Sequence, residues 1–370
     1  MTVTLLVYSP AFAPFAALAV AIALDLALAE PPSRVHPVAM FGSVVEPFDR
    51  PWTRPRLVGV AVAIFLPAGA AALAGGVVAV AVIAAAVLAA AVVDVAVLAG
   101  AQPGNTSPFG ALVAGALLFS VVSLRLLLDV TAVVVGLTEA DPATARESVR
   151  TLVGRDTTAL SPGDLRSAAV ESAAENLADG FVAPLGGFAV GSTLGLAFPL
   201  AVDSAAAPAI DPAFAPAIGV AGAVWVKAVN TLDSMLGYRS KPVGWASARL
   251  DDAVMYLPAR ATAVCLAVAV GSIEILRRAA SWAGESASPN SGWPMATVAA
   301  ALDVRLEKPG HYVLNPDASP PSVTDAERAV RLVGVAGGVA VAGTAGWLLA
   351  VGTLLSAGWP LPPAEVVGWP

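Results

Sequence analysis

The chain has 370 residues, of which 57% are hydrophobic and 13% charged, with a mean hydropathy of +0.78; soluble domains run near roughly 45–50% apolar and about 25% charged. This excludes a soluble globular enzyme and a disordered chain, and the net charge of -7 argues against a nucleic-acid partner, which needs a basic face. One cysteine, Cys265, and two histidines, His36 and His311, exclude an intrachain disulfide, a thiolate zinc site and a multi-histidine metal centre.

Residues 11–29 read as a retained first helix. Ala27-Leu28-Ala29 has the look of a cleavage site, but no basic segment precedes it and Asp25 interrupts the apolar stretch. A rigid loop from Glu30 to Val38 carries His36, and Arg50, Arg54 and Arg56 beyond it give a weak positive-inside signal. The apolar runs 57–75 and 77–99 are long enough to cross hydrocarbon, and Gly75-Gly76 between them predicts a tight helical hairpin, with Pro67 as a kink. From Phe109 another apolar helix is predicted to continue through Leu124 to Asp129, where Arg125 and Asp129 stand four apart and can pair. If the loops 30–56 and 139–180 share a compartment, three apolar segments between them give an odd number of crossings, so one must be incomplete.

Of the 47 charged residues, 35 fall in 139–331. Two amphipathic helices, 141–153 and 161–179, open on the capping signatures Asp141-Pro142 and Ser161-Pro162 and are expected outside the bilayer core. Segments 181–201 and 213–229 suggest a hairpin around 203–211, 253–273 is a further span followed by Arg277-Arg278, and 332–357 is a C-terminal span. No internal repeat is found, which weakens an inverted-repeat transporter. The fold class is therefore all-α: a polytopic integral membrane helical bundle with amphipathic boundary helices. It is read as one membrane-embedded domain, with N-terminal spans in 1–138 and the motif-bearing region in 139–331.

The scarce polar residues cluster. Glu171, Glu175 and Asp179 fall at i, i+4 and i+8 of a helix, with Asn176 beside them, which predicts one stripe of carboxylates. Such a stripe at a membrane boundary suits a hard cation such as Mg²⁺ or a polar substrate better than a solvated face. Lys227, Asn230 and Ser234 share a second face at the end of an apolar run. A lysine there can snorkel, but Asn230 and Asp233 need partners or a task. Arg249, Asp252 and Tyr256 share a third face, continued by Arg260. An Arg-Asp pair can be structural, yet Asp251-Asp252 flanked by cations is the inventory that holds a metal-bound nucleotide phosphate. Ser288 to Pro294 is a turn by composition that displays Asn290. No Gly-x-x-x-x-Gly-Lys loop, Rossmann glycine fingerprint or nucleophile elbow is present.

In order along the chain, these patches resemble the adenosylcobinamide-phosphate synthase family of cobalamin biosynthesis, called CobD or CbiB. The strings that carry the likeness include Asp25 with Pro31-Pro32 and His36-Pro37-Val38, Val153-Gly154-Arg155-Asp156-Thr157, and Val170-Glu171-Ser172 with Ala174-Glu175-Asn176. They continue with Asp179-Gly180, Lys227-Ala228-Val229-Asn230-Thr231-Leu232-Asp233-Ser234-Met235, Gly244-Trp245-Ala246-Ser247-Ala248-Arg249-Leu250-Asp251-Asp252, Pro258-Ala259-Arg260, Ser288-Pro289-Asn290-Ser291-Gly292-Trp293-Pro294 and Tyr312. Gly186-Gly187 and Met295 depart from the family's habits, which place an aromatic pair and an acid there.

The resemblance implies a multi-pass enzyme of the cell membrane that joins 1-amino-2-propanol, or its O-phosphate, to the free propionate of adenosylcobyric acid, in an amide ligation using ATP and Mg²⁺. The catalytic set expected from it is Glu171, Glu175, Lys227, Asn230, Arg249 and Asp252. Substrate contacts are expected from His36, Asn176, Asp233, Arg260 and Asn290, and metal ligation from Asp179 and Asp251. A CDP-alcohol phosphotransferase fails at Pro184, where its signature wants arginine. A transporter wants its charges in mid-span, and a non-catalytic sensor similar to AmpE has no use for the full set of strings.

Overall fold

A computed structural model describes residues 12–32, 34, 36–97, 108–150, 157–201, 212–238 and 240–356. Helix α1 (Phe12–Leu28) leads through a short loop to α2 (Pro37–Val45) and then to α3 (Pro55–Val97). After α4 (Pro108–Phe119) and α5 (Arg125–Ala140) come the short α6 (Pro142–Val149) and α7 (Pro162–Leu177). A π-helical turn, Ala178–Val182, joins α7 to α8 (Ala183–Ala201), and α9 is Ala215–Leu236. Helices α10 (Trp245–Val254), α11 (Tyr256–Val270), α12 (Glu274–Ala280) and α13 (Gly292–Leu302) precede two strands, β1 (Leu306–Lys308) and β2 (Tyr312–Leu314), and α14 (Val323–Ser356) closes the described chain. The all-α expectation holds; among the described residues the one sheet is the antiparallel pair β1–β2, in which Glu307 faces Val313.

Among the described residues, four helical stretches are long and apolar enough to cross a membrane, Pro55–Leu88, Pro162–Ala197, Ala215–Leu236 and Val323–Leu355. A fifth arises if α10 and α11, bent by 43°, count as one span. Lipid supplies no hydrophobic drive between such helices, so close backbone approach through small residues takes its place. Helices α8 and α9 show it: Gly187 lies on the backbone of Gly222, and Gly191 on that of Ile218. One continuous core runs from Ala17 of α1 to Leu348 of α14.

Three expectations are corrected. No hairpin forms at Gly75-Gly76: α3 runs unbroken from Pro55 to Val97. A turn there would leave backbone groups unpaired in hydrocarbon, and Gly75 is small for another reason, since a Cβ on it would meet the Ala217 carbonyl at 3.1 Å. Merging the two runs leaves α3 as the one stretch between the two loops, among the described residues, that is long and apolar enough to cross, while α4 is a shorter apolar helix. Conversely, the helix expected from Phe109 to Asp129 is cut at 120–124. The cut is stabilised from elsewhere: Asp25, 1% exposed, accepts the amides of Leu124 at 3.1 Å and Arg125 at 3.2 Å. It caps α5, whose own flanking residue, Leu124, supplies no cap. The Arg125 guanidinium donates in return to the carbonyls of Leu26 and Ala27 at the end of α1 and pairs with Asp129 at 3.4 Å.

The third correction concerns 161–179. Its predicted cap is present, a capping box between Ser161 and Asp164, but the helix is not an amphipathic surface element. It runs through the π turn into α8 with buried residues on every side. The predicted hairpin around 203–211 and the string Val153 to Asp156 fall outside the described residues.

Candidate active site

The π turn decides where the carboxylates of α7 point. In an α-helix, residues eight apart share a face, which predicts Glu171, Glu175 and Asp179 in one stripe. A π turn adds a residue to the turn and rotates everything after it. The stripe is therefore split. Glu171, 4% exposed, accepts from the Ser167 hydroxyl and the Tyr312 phenol, both at 2.7 Å, while Ser167 also receives the Glu307 amide at 2.8 Å. This clasp fastens the β1–β2 hairpin to α7. Asp179 faces the other way, toward α9, where the Asn230 side-chain amide donates to it at 3.2 Å.

Asn230 is the centre of the arrangement. Its nitrogen lies 3.2 Å from Asp179 and 3.5 Å from Asp251, so one buried amide joins the π turn, α9 and α10. Ser234, a turn further along α9, donates to the Asn230 carbonyl at 2.9 Å. Lys227 lies one turn back on the same helix, and the carboxylates facing it are Asp179, Glu30 and Asp251. Asp251 in turn faces Asp179, Asp233 and Asp252. One oxygen of Asp233 is buried with no hydrogen-bond partner among the described residues.

Among the described residues four aspartates, with Glu30 also facing Lys227, thus share one neighbourhood with one ammonium, from Lys227, and one guanidinium, from Arg249, whose contact with Asp252 is 3.7 Å. An excess of negative charge inside a helical bundle is costly unless cations enter. Oxygen donors of this kind suit Mg²⁺. No three His, Cys, Asp or Glu groups converge into a ready-made cage among the described residues. Mg²⁺ asks for less than a cage, because it is held through one or two carboxylates with water and phosphate completing its octahedron. Asp179 and Asp251, brought together by Asn230, meet that requirement.

Beside this cluster lies a cavity of about 380 Å³ lined by Glu30, His36, Asn176, Gly180 and Lys227 and by the 120–123 break. The Ser123 amide donates to the Gly180 carbonyl at 3.1 Å, so the break rests directly on the π turn. His36 is locked: Nδ1 accepts the Val38 amide at 3.2 Å as the cap of α2, and Nε2 donates to Glu30 at 2.9 Å. Asn176 donates to the Ser172 carbonyl and hydroxyl at 2.9 and 3.0 Å.

The structure thus brings Lys227, Asn230, Asp233, Asp179, Asp251 and Asp252 together, and it places His36 and Asn176 on the adjoining cavity. Glu171 stands apart in its clasp. Glu175, on α7 between the two sites, is half-buried. Arg260 and Asn290 form a separate bracket. The Asn290 amide donates to the Asp252 carbonyl at 2.8 Å and its oxygen accepts from Arg260 at 3.2 Å, while the Arg260 guanidinium lies 3.5 Å from the Tyr256 ring centre. Both ends of that amide are engaged, so Asn290 pins the bend between α10 and α11. The predicted face of Arg249, Asp252, Tyr256 and Arg260 is interrupted by that bend. Two residues are legible only in the folded chain. Glu30 sits six residues before His36, across Pro31-Pro32, and Asp25 caps a helix 99 residues away.

Comparison with known proteins gives the family. The family profile described as CobD/Cbib protein matches residues 18–333. The chain is similar to a probable cobalamin biosynthesis protein CobD of Methanothrix thermoacetophila, 31% identical over 87% of this chain and 92% of that one. It is also similar to the probable CobD protein of Methanothermobacter thermautotrophicus, at 33% over 80% and 85%, and to the CobD protein of Rhodobacter capsulatus, at 34% over 86% and 92%. No solved structure matches.

Proposed function

The chain belongs to the CobD/CbiB family, and we propose that it acts in cobalamin biosynthesis as a membrane-bound ligase, joining aminopropanol or its phosphate to the free propionate of adenosylcobyric acid. The observation that carries this reading is the Asn230 amide held between Asp179 and Asp251, beside Lys227, within helices long enough to span the membrane. Intramembrane ionisable groups in such number are maintained for chemistry.

A carboxylate is a poor acyl donor at neutral pH. ATP converts the propionate to an acyl phosphate, releasing ADP; the amine attacks the acyl carbon, phosphate leaves with the C–O bonding pair, and the amine nitrogen gives up a proton. Lys227 neutralises phosphoryl charge as it develops. Asp179 and Asp251 would hold Mg²⁺, which when bound screens the phosphate oxygens from the carboxylates. Asn230 fixes the spacing of those two carboxylates. The unpartnered oxygen of Asp233 accepts the amine's proton. Arg249 and Asp252 serve the nucleotide side. The cavity of about 380 Å³ is far smaller than a corrinoid, so it takes the amine, with Asn176 and the His36–Glu30 pair as its polar lining, while the corrinoid approaches from outside. Glu171 is left to the clasp.

The test is to incubate membranes containing the protein with adenosylcobyric acid, aminopropanol phosphate, Mg²⁺ and ATP, and to follow corrinoid mass. Gain of the amine, dependent on ATP, is the expected result. Unchanged mass alongside a competent control enzyme refutes the ligase reading.

A further inference from the structure

Helix α10 has two faces with different chemistry. Inward, Ser247 is buried and Asp251 reaches Asn230. Outward, Trp245, Arg249 and Asp252 fall at i, i+4 and i+7, one stripe along the helix. Trp245 is 50% exposed and the Arg249 side chain 71% exposed. A second cation reaches this stripe from another element: the Arg56 guanidinium lies 5.8 Å from the centre of the Trp245 ring, inside the range in which an aromatic face attracts it.

That meeting is built into the packing. Gly59 of α3 lies against the Val243 carbonyl, and Gly244 lies against the Leu236 carbonyl, so the start of α10 is clamped between the ends of α3 and α9. Arg56 is one turn before Gly59 and Trp245 is two residues after Val243, which brings the two side chains together. The stripe is also connected to the reaction cluster. Asp252 pairs with Arg249 at 3.7 Å on one side and is the carboxylate that faces Asp233 on the other.

We propose that the outer stripe of α10 is the nucleotide subsite of the ligase, with Trp245 stacking on the base and Arg249 and Arg56 holding the phosphates. Asp252 stands at the reacting end, next to Asp233. A flat, half-exposed ring on a clamped helix turn is a stacking platform, and two guanidiniums beside it offer planar forks to phosphate oxygens. The ligand class is a nucleoside triphosphate. This explains how a chain with no glycine-rich phosphate loop can use one. The inference rests on the ATP dependence proposed above and adds the place and mode of binding.

The experiment measures equilibrium binding of ATP, without corrinoid or amine, to the full-length protein in lipid nanodiscs. Stacking on an aromatic is worth roughly five- to hundredfold in affinity when the ring is removed. W245A is therefore expected to weaken both ATP and adenosine by about that factor, and W245F to restore binding to within about threefold. R56A and R249A should weaken ATP while leaving adenosine unchanged. In turnover, W245A should raise the KM for ATP and leave the KM for the amine where it was. ATP binding that is unchanged in W245A and R56A overturns the subsite. The same holds if these variants lose only their affinity for anionic vesicles, because the stripe is then a headgroup anchor. Amide formation with an unaltered KM for ATP in W245A removes the subsite and leaves the ligase standing. ATP binding lost in W245A without any amide formed by the parent protein does the reverse.

Discussion

The two acidic sites on opposite sides of the π turn differ in how completely they are satisfied. At Glu171 each partner is provided by the protein: hydroxyls from Ser167 and Tyr312 reach the carboxylate, and Ser167 accepts an amide in turn. At Asp179, Asp233, Asp251 and Asp252 the described residues provide one amide, one ammonium and one distant guanidinium, and among them one buried oxygen has no donor. A closed network of polar groups rigidifies a fold, whereas an open one is tolerated only where something else completes it. The difference separates a carboxylate that serves the fold from carboxylates that the fold leaves open, although Glu171 and Asp179 sit on one continuous helix.

The comparison breaks most sharply at Asn230. Asn230→Ala and Lys227→Met are each expected to lower amide formation at least a hundredfold, on the order seen when one preorganised donor is removed from a reacting site. Membrane insertion should persist, with stability in detergent lowered by no more than about 1–3 kcal/mol, the cost of an unsatisfied buried partner. Turnover within tenfold of the parent in both variants would take these residues out of the site. Glu171→Ala should invert the pattern. It removes the acceptor of two hydroxyls in a buried network, so stability should fall by about 1–3 kcal/mol, read as a lower melting temperature, while turnover per folded molecule stays within a few-fold. A Glu171→Ala protein that melts normally but is inactive would move Glu171 into the reaction.

Asp25→Ala tests the coupling between fold and site. Losing the cap of α5 should cost about 1–2 kcal/mol. Hydrogen exchange should speed up in 120–128 and, through the Ser123–Gly180 contact, in 178–182. Faster exchange confined to the first of these segments would show that the break and the π turn are independent. The smallest effect is expected at Asp303, at the end of α13. Hydrogen bonds from Arg278 and Asn315 hold the Asp303 carboxyl below the usual carboxylate range. Its stabilising contribution is present above the ordinary carboxylate value of about 4 and is lost as pH falls through the depressed one. Asp303→Asn should therefore lower the melting temperature slightly at neutral pH, with the difference from the parent vanishing as pH falls through the acid range.

Local signals survive folding and long-range ones do not. The caps at Asp141 and Ser161, the Arg125–Asp129 pair and the shared face of Lys227, Asn230 and Ser234 all depend on residues three or four apart, and each is present. Gly75-Gly76 misleads because a glycine that permits a turn and a glycine that permits close packing are identical in sequence. The acidic stripe misleads because Asp179 falls inside a π turn, which changes where its side chain points, and no residue type announces one. The break after α4 is invisible for a different reason: its stabilising carboxylate comes from α1. The family's strings nevertheless locate the residues that meet, since Asp179, Asn230 and Asp251 each lie in a separate string.

The reciprocal caps between α1 and α5 also set a schedule. Synthesis adds about 5–20 residues each second, and 99 residues separate Asp25 from Leu124. For roughly 5–20 seconds the first helix exists without the amides that its buried carboxylate accepts. The N-terminal helix therefore takes its final place late, when α5 has emerged, and the cavity lined by the 120–123 break acquires that wall in the same event. Slowing synthesis between the two would lengthen the interval in which a carboxylate lies unsatisfied in an apolar helix, and that interval is where quality control would find this protein.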